Sequence, residues 1–481
     1  MIGPKIVNMK SSNIFLVLCF LFIGSVGFSQ KKKLEKKKSP NIILILTDDQ
    51  GWSQSSALID PRNPASKSNY LETPNMEKFA SQGMRFTDGY APAPLCTPTR
   101  RSILCGTSAA RSGEEFPSPD WISANHTTLP RMIKKANKAY RTAHFGKWGG
   151  KDMINTPEEC GYDESNGVTG NPDGDLKIAG DPSSGIMGKV GKTEYFTNED
   201  PKATNFVTNS AIRFMEKQTK SGIPFYMQVS YYAPHLNVVA LQETIDKYRK
   251  KGTPDRFYTA AWAAMLEELD RGIGRLLKAV DSLGIADNTY VIFTSDNGGS
   301  KRMPGGSGDV PANFPLDGAK QELLEGGIRV PFMARGPGIK PGSVCHVPVV
   351  GYDLLPTFYA IAGGKASMPK EIDGGNIAPL FNDPANGSVV RPLNALFFSR
   401  PDNGYSAIRQ GEYKLMIYWD QKGNIASTRL NRFNADPKEE GRDISKENPK
   451  KAAELQKMLV DYLKSVNAST APSPKKPREE E

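Results

Sequence analysis

Cysteine and histidine are scarce in this chain, with five and four copies respectively among 481 residues. Cys19 lies in a leading apolar segment, which leaves Cys96, Cys105, Cys160 and Cys345 for the body. So few cysteines in a large chain do not make the disulfide framework that staples small secreted domains. A Cys160–Cys345 pairing stays open, and the absence of any C-x-x-C argues against zinc. The apolar run Ile14–Ile23 is short for a membrane span. No internal repeat and no nucleic-acid-binding module can be found. Excess charge is also thinner than it looks. The formal net charge is +10, but Lys5 and Lys10 precede residue 30, and Lys31–Lys38 holds six lysines against one glutamate, so only about +3 remains on the body. That basic run reads as a solvated linker rather than a footprint for nucleic acid. With 38% hydrophobic and 24% charged residues, the bulk is an ordinary globular chain, long enough for one large domain and a smaller one.

What is present divides as follows. A basic head, a short apolar middle and small residues up to Ser29 read as a secretory signal peptide over 1–29, so the mature protein is expected to be exported, periplasmic or extracellular. An uncleaved anchor is the alternative. A basic linker (30–39) precedes a large domain (40–375). A C-terminal α+β subdomain (376–467) follows, and then a Pro-, Lys- and Glu-rich tail (468–481) expected to be disordered.

Asn41–Thr47 is apolar without alternation, the signature of a parallel strand buried on both faces. Thr142–Phe145, Phe225–Tyr231 and Thr289–Ser295 read as further strands. Helices are expected over Thr73–Gln82, Asn205–Lys217 and Tyr258–Leu283, the last with Leu266, Leu269, Ile273, Leu276, Leu277 and Val280 on one stripe. The fold class is therefore α/β: a large, mostly parallel sheet flanked by helices. Ser300–Leu316, rich in Gly, Pro, Ser and Asn, reads as a long irregular loop. Beyond about Gly375 short strands (Leu396–Ser399, Ser406–Arg409, Tyr413–Trp419, Ser427–Asn431), a Gln410-Gly411 hairpin signal and a closing helix (Lys451–Val466) predict a small antiparallel sheet with one helix.

Polar residues follow directly on the apolar strands: Asp48 and Asp49 on the first, Lys147 on the second, His235 on the third, Asp296 and Asn297 on the fourth. Open parallel sheets bind ligands at those ends. Three carboxylates and an amide oxygen suit a hard cation, calcium before magnesium, which prefers fewer protein ligands. Cys96-Thr97-Pro98-Thr99-Arg100 precedes an apolar turn and Gly106. Its proline suits the first turn of a helix, which puts Cys96 at or just before a helix N-terminus, where free N–H groups favour an anion. Arg100, one turn on, points back over the same spot. Taken alone, the stretch also fits a structural cysteine beside a surface arginine.

The motif C-x-P-x-R, with Gly146-Lys147-Trp148, Ala233-Pro234-His235, Asp296-Asn297-Gly298-Gly299, and Lys320 ahead of Glu325-Gly326-Gly327, resembles the type I, formylglycine-dependent sulfatases of the alkaline phosphatase superfamily. The match covers roughly residues 40–380, and the C-terminal subdomain also fits. The resemblance implies that Cys96 is oxidised to formylglycine (3-oxoalanine) by a formylglycine-generating or sulfatase-maturating enzyme. It implies one calcium ion bound by Asp48, Asp49, residue 96, Asp296 and Asn297. The hydrated aldehyde attacks sulfate, while Arg100, Lys147 and Lys320 hold the sulfate oxygens and His235 protonates the leaving oxygen. The chain departs from the family at Gly149, where the motif Gly-Lys-Trp-His has its histidine, a group associated with sulfate release. His144 and His346 are expected to be structural. The expected activity is sulfate ester hydrolysis on sulfated carbohydrates, such as algal ulvan, carrageenan or fucoidan, or host glycosaminoglycans. A phosphonate or phosphodiester hydrolase and a non-catalytic sulfated-glycan binding protein are the alternatives.

Overall fold

The computed structural model describes residues 38–113, 123–149, 153, 155–166, 200–236, 238–301, 306, 309–433 and 441–471, and the elements below belong to the unit that begins at Lys38. The expected signal segment 1–29, most of the basic linker and most of the tail lie outside the described residues. Among the described residues no helix is long and apolar enough to cross a membrane.

The strands are β1 (Asn41–Thr47), β2 (Met84–Phe86), β3 (Gly89–Tyr90), β4 (Arg141–Gly146), β5 (Glu164–Ser165), β6 (Phe225–Ser230), β7 (Thr289–Ser295), β8 (Phe332–Arg335), β9 (Ser343–Cys345), β10 (Val349–Val350), β11 (Leu396–Arg400), β12 (Tyr405–Gln410), β13 (Tyr413–Trp419) and β14 (Ile425–Arg432). The main sheet has eight strands in the order β5-β4-β6-β1-β7-β8-β2-β9. It is parallel except for β8, which runs antiparallel to both β7 and β2. The mostly parallel sheet is thus as expected, while the short strands β2, β3, β8 and β9 had no sequence signal of their own.

Strand β1 lies at the centre and explains its unbroken apolar run. Ile43 and Ile45 enter one core while Ile42, Leu44 and Leu46 enter the other, and all five are fully buried. Side chains of period two thus reach two apolar faces, so neither face of the strand tolerates a polar residue. The first core is covered by the helices Pro74–Gln82, Thr204–Ser221, Gln242–Lys251 and Ala260–Ser282, with the expected stripe of the last facing inward. The second is covered by Cys96–Cys105, Leu129–Ala136, Leu354–Ile361 and Ala378–Asn382.

The C-terminal strands form one antiparallel sheet in the order β11-β12-β13-β14. Gln410 pairs with Tyr413 across the expected hairpin, whose Gly411 has φ 57°. One face packs on the helix Pro449–Ser465, where Phe397 stacks on Tyr462 with ring centroids 3.8 Å apart. The other face, through Phe398, Ala407 and Met416, packs on Tyr90, Ile328 and Tyr352 of the main body. Cys160 and Cys345 are free thiols. Cys160 precedes edge strand β5 and Cys345 ends the opposite edge strand β9, so the open pairing resolves as no disulfide.

Candidate active site

Strands β4, β6, β1 and β7 are adjacent and parallel. Their C-terminal ends therefore lie along one edge, and every polar motif that follows them opens on the same side of the sheet. Backbone hydrogen bonds knit the ends together: Tyr231 N–H donates to the Leu46 carbonyl (2.9 Å), Lys147 N–H to Ser230 (2.8 Å) and Asp296 N–H to Thr47 (3.1 Å). Asp49 has φ 64°, a left-handed conformation that aspartate tolerates better than most residues. This reversal breaks the strand's alternation, so the carboxylates of Asp48 and Asp49 serve one pocket instead of opposite faces.

Cys96 is the first residue of the helix Cys96–Cys105, which ends at Gly106 in the left-handed conformation (φ 68°). The expected placement at a helix N-terminus holds. Arg100, one turn later, points back as anticipated. Its Nε and Nη2 donate to Asp296 Oδ2 at 2.9 and 2.7 Å, and its Nη1 donates to the Lys147 carbonyl at 2.8 Å. The Lys147 ammonium pairs with Asp48 Oδ2. Lys320 donates to Asp49 Oδ2 at 2.7 Å and to His235 Nε2 at 3.1 Å. Asn297 Nδ2 donates to Asp49 Oδ1 at 2.8 Å. All the residues expected at the site thus converge. Ligand atoms of Asp48, Cys96 and Asp296 lie within 4.8 Å of one another, as do those of Asp48, Asp49 and His235.

The donor set suits a hard cation. Asp48 Oδ1 and Asn297 Oδ1 are buried and accept no hydrogen bond. Leaving such acceptors unmet is costly, and a bound hard cation is the kind of partner both lack. Charge balance agrees. Three carboxylates face the three cations Arg100, Lys147 and Lys320, so an added dication leaves the pocket net positive and ready for an anion. Burial raises the Asp48 carboxyl, but Lys147, His235 and Arg100 together outweigh it and hold it well below the usual range. Burial, followed by repulsion from Asp48, pushes Asp296 up to about 7 even though Arg100 binds its Oδ2. Crowded carboxylates of this kind mark metal and catalytic sites.

The pocket has a buried floor and an open rim. Asp48, Asp296, Arg100 and Lys147 are buried, whereas the His235 and Lys320 side chains are 15% and 17% exposed and Cys96 is partly exposed. His235 Nδ1 donates to the Leu236 carbonyl at 2.8 Å, which leaves Nε2 as the acceptor facing Lys320. Burial, then the opposing pull of Asp49, sets its pKa at about 4.

Several features were not evident from sequence. Gly298 is there for space. A Cβ on it would lie 1.9 Å from the Gly326 carbonyl oxygen, and its N–H donates to the Gly327 carbonyl at 2.9 Å. The Asp296-Asn297-Gly298-Gly299 and Glu325-Gly326-Gly327 motifs are therefore two halves of one backbone contact. Glu325 is an anchor: its carboxylate binds Lys414 Nζ (2.8 Å) on β13, Arg329 Nε (2.6 Å) and the Tyr90 hydroxyl (2.7 Å). At Gly149 a Cβ would lie 2.2 Å from Met153 Cγ, so the buried methionine fills the space that a larger residue there would enter. His144 does not replace the missing imidazole. It is fully buried, edge-on to Trp148 (4.9 Å) and Tyr162 (5.6 Å), and neither ring nitrogen has a partner. His346 is exposed, and its Nδ1 meets the Thr87 hydroxyl at 3.0 Å.

Comparison with known proteins gives the same picture. The Sulfatase family model matches residues 40–364. The chain is 29% identical to N-acetylgalactosamine-6-sulfatase of Mus musculus, over 85% of this chain and 76% of that protein. It is also 29% identical to a sulfatase of Formosa agariphila, over 84% of this chain and 82% of that one. The crystal structure of Ps i-CgsB superposes with a TM-score of 0.71 at 25% identity, covering 91% of this chain and 94% of the other, and the same protein has been solved with k-i-k-neocarrahexaose.

Proposed function

This chain belongs to the sulfatase family and is a sulfuric ester hydrolase, and from that premise we propose that it is an exported, calcium-dependent enzyme that removes sulfate from sulfated carbohydrates. The observation that carries the reading is the meeting of Cys96, at the start of a buried helix, with the carboxylates of Asp48 and Asp296 and two orphaned buried oxygens. Asp48, Asp49, Asp296 and Asn297, with residue 96, would hold the ion. When bound, calcium supplies positive charge beside the sulfate and acidifies a neighbouring hydroxyl. Oxidised to formylglycine and hydrated, residue 96 supplies the oxygen nucleophile and a second hydroxyl through which sulfate is let go. The partner this requires is a formylglycine-generating or sulfatase-maturating enzyme.

The other residues divide the work by position. Arg100 is fixed by Asp296 and by the Lys147 carbonyl, so its guanidinium is preorganised rather than drawn in by substrate. Lys147 and Lys320 place two further cations around the same point and hold sulfate oxygens in line for attack. At the rim, Lys320 donates into His235 Nε2. The pair therefore holds one shared proton on the open side, where the departing oxygen must receive it. With Gly149 and Met153 in place of a second imidazole, the proton removed during sulfate release goes to another base or to water.

The substrates are sulfated glycans such as carrageenan, fucoidan, ulvan or glycosaminoglycans. Support for that class comes from relatives named for N-acetylgalactosamine 6-sulfate and from the structural neighbour solved with a neocarrahexaose. The test is sulfate release from 4-nitrophenyl sulfate and from a panel of sulfated oligosaccharides, run beside matched phosphate esters and phosphonates. Sulfate release that is lost on calcium chelation is expected. Faster turnover of the phosphorus esters, or binding of sulfated sugars with no release from any member of the panel, would replace this reading with one of its alternatives.

A further inference from the structure

Against the loop that carries Lys320 the molecule has a cavity of about 390 Å3, within the ~300–1,000 Å3 of small-molecule pockets. One wall is the loop that delivers Lys320: Asp317, Gly318 and Glu322 line the cavity, and Lys320 lies between them in sequence. That loop is braced. Glu322 Oε2 accepts the Ala319 N–H at 3.1 Å, and Lys320 N–H donates to the Gly299 carbonyl at 2.9 Å. Asn313, also in the lining, donates to the carbonyls of Gly299 (2.8 Å) and Gly318 (3.3 Å), which joins the cavity to the Asp296–Gly299 turn. Arg429, from β14 of the C-terminal sheet, also lines the cavity.

We propose that this cavity is a subsite for an uncharged pyranose unit next to the sulfated one, a specificity that rests on the sulfated-glycan reading above. Among the described residues the charged lining is balanced, with Lys301 and Arg429 against Asp317 and Glu322. A second sulfate placed there would meet two carboxylates along with the two cations. A ring bearing hydroxyls has no such conflict, because each hydroxyl donates to a carboxylate and accepts from a cation. Pro311, Leu316 and Leu324 add apolar surface against which the C–H face of a sugar ring can lie. The contrast is with the sulfate locus, where a bound dication would add its charge to the balanced set of Arg100, Lys147 and Lys320 against Asp296, Asp48 and Asp49. Lys301 is 3.9 Å from Glu322 and its side chain is 75% exposed, so it is free to turn towards an incoming sugar.

The test uses the full chain with its matured residue 96. 4-Nitrophenyl sulfate hydrolysis by the wild type reports on the underlying reading alone. For the inference, kcat/KM is compared between pairs of sulfated disaccharides that share the scissile unit and differ only in a second sulfate on the neighbouring unit. Galactan, fucan and glycosaminoglycan pairs are included. The singly sulfated member of the turned-over pair is expected to be favoured at least tenfold. Arg429→Ala and the solvent-exposed Lys301→Ala are each expected to lower its kcat/KM about tenfold more than that of 4-nitrophenyl sulfate. Equal losses on both esters, a preference for the doubly sulfated member, or active hydrolysis of the aryl ester with no gain from any neutral neighbour would each overturn the subsite.

Discussion

Two histidines show how position fixes chemistry at the scale of single residues. His235 holds its proton on Nδ1 through the Leu236 carbonyl and turns Nε2 to Lys320 at the rim. If it hands a proton to the leaving oxygen, His235→Ala should cost about 100-fold or more on alkyl sulfates, whose alkoxides need protonation, and clearly less on 4-nitrophenyl sulfate. Equal losses measured on both would remove the acid role. His144 has no such use. Burial, then the nearby Arg100, holds its pKa down at about 3 against an ordinary 6.5. Between those values the unfolded chain binds the proton and the folded one does not, so stability falls as pH drops below 6.5. The share due to His144 should be roughly 2 kcal/mol between pH 8 and pH 5. Urea unfolding of His144→Phe beside the wild type checks it: the stability difference between the two proteins should shift by that amount across the interval, and a pH-independent difference would contradict it.

At the scale of elements, the site depends on loops that touch backbone to backbone. Gly298→Ala puts a methyl group 1.9 Å from a carbonyl oxygen that no side-chain rotation can move away, whereas Gly299→Ala meets the amide end of Gln54. Gly298→Ala should therefore lower kcat/KM at least tenfold by displacing Asn297, and Gly299→Ala much less, as steady-state kinetics of the two variants would reveal. The elements legible in the sequence were those with a strong local pattern. Strands β1, β6 and β7 declare themselves by apolar runs, and the polar residues that end them could be seen to share an edge. Strands β3, β8 and β9 are two to four residues long and are defined by partners far away in the chain, so no local period marks them. The same holds for contacts between motifs. Lys414 meets Glu325 across 89 residues, which a reading of neighbours along the chain could not supply.

For the molecule as a whole, the C-terminal sheet is tied to the main body through buried charge. Lys414 Nζ donates to the Leu323 carbonyl at 2.7 Å and to Glu325 at 2.8 Å, with both side chains fully buried. Lys414→Met removes one of the two close cations on this carboxylate, which Arg329 still holds at 2.6 Å, so unfolding should become easier by about 1–3 kcal/mol. The double variant with Glu325→Gln should recover part of that loss, and a single variant as stable as the wild type would show the junction to be held by its apolar contacts alone. The sheet edge, the helix that starts at Cys96 and the loop of Lys320 otherwise serve one end: a buried, oxygen-rich pocket for which the proposed nucleophile is an altered residue 96. Mass spectrometry of the peptide containing residue 96, taken from a preparation that is hydrolysing sulfate esters, tests this most directly. The mass of the aldehyde or its hydrate is the expected result; an unmodified thiol throughout a fully active preparation would contradict it.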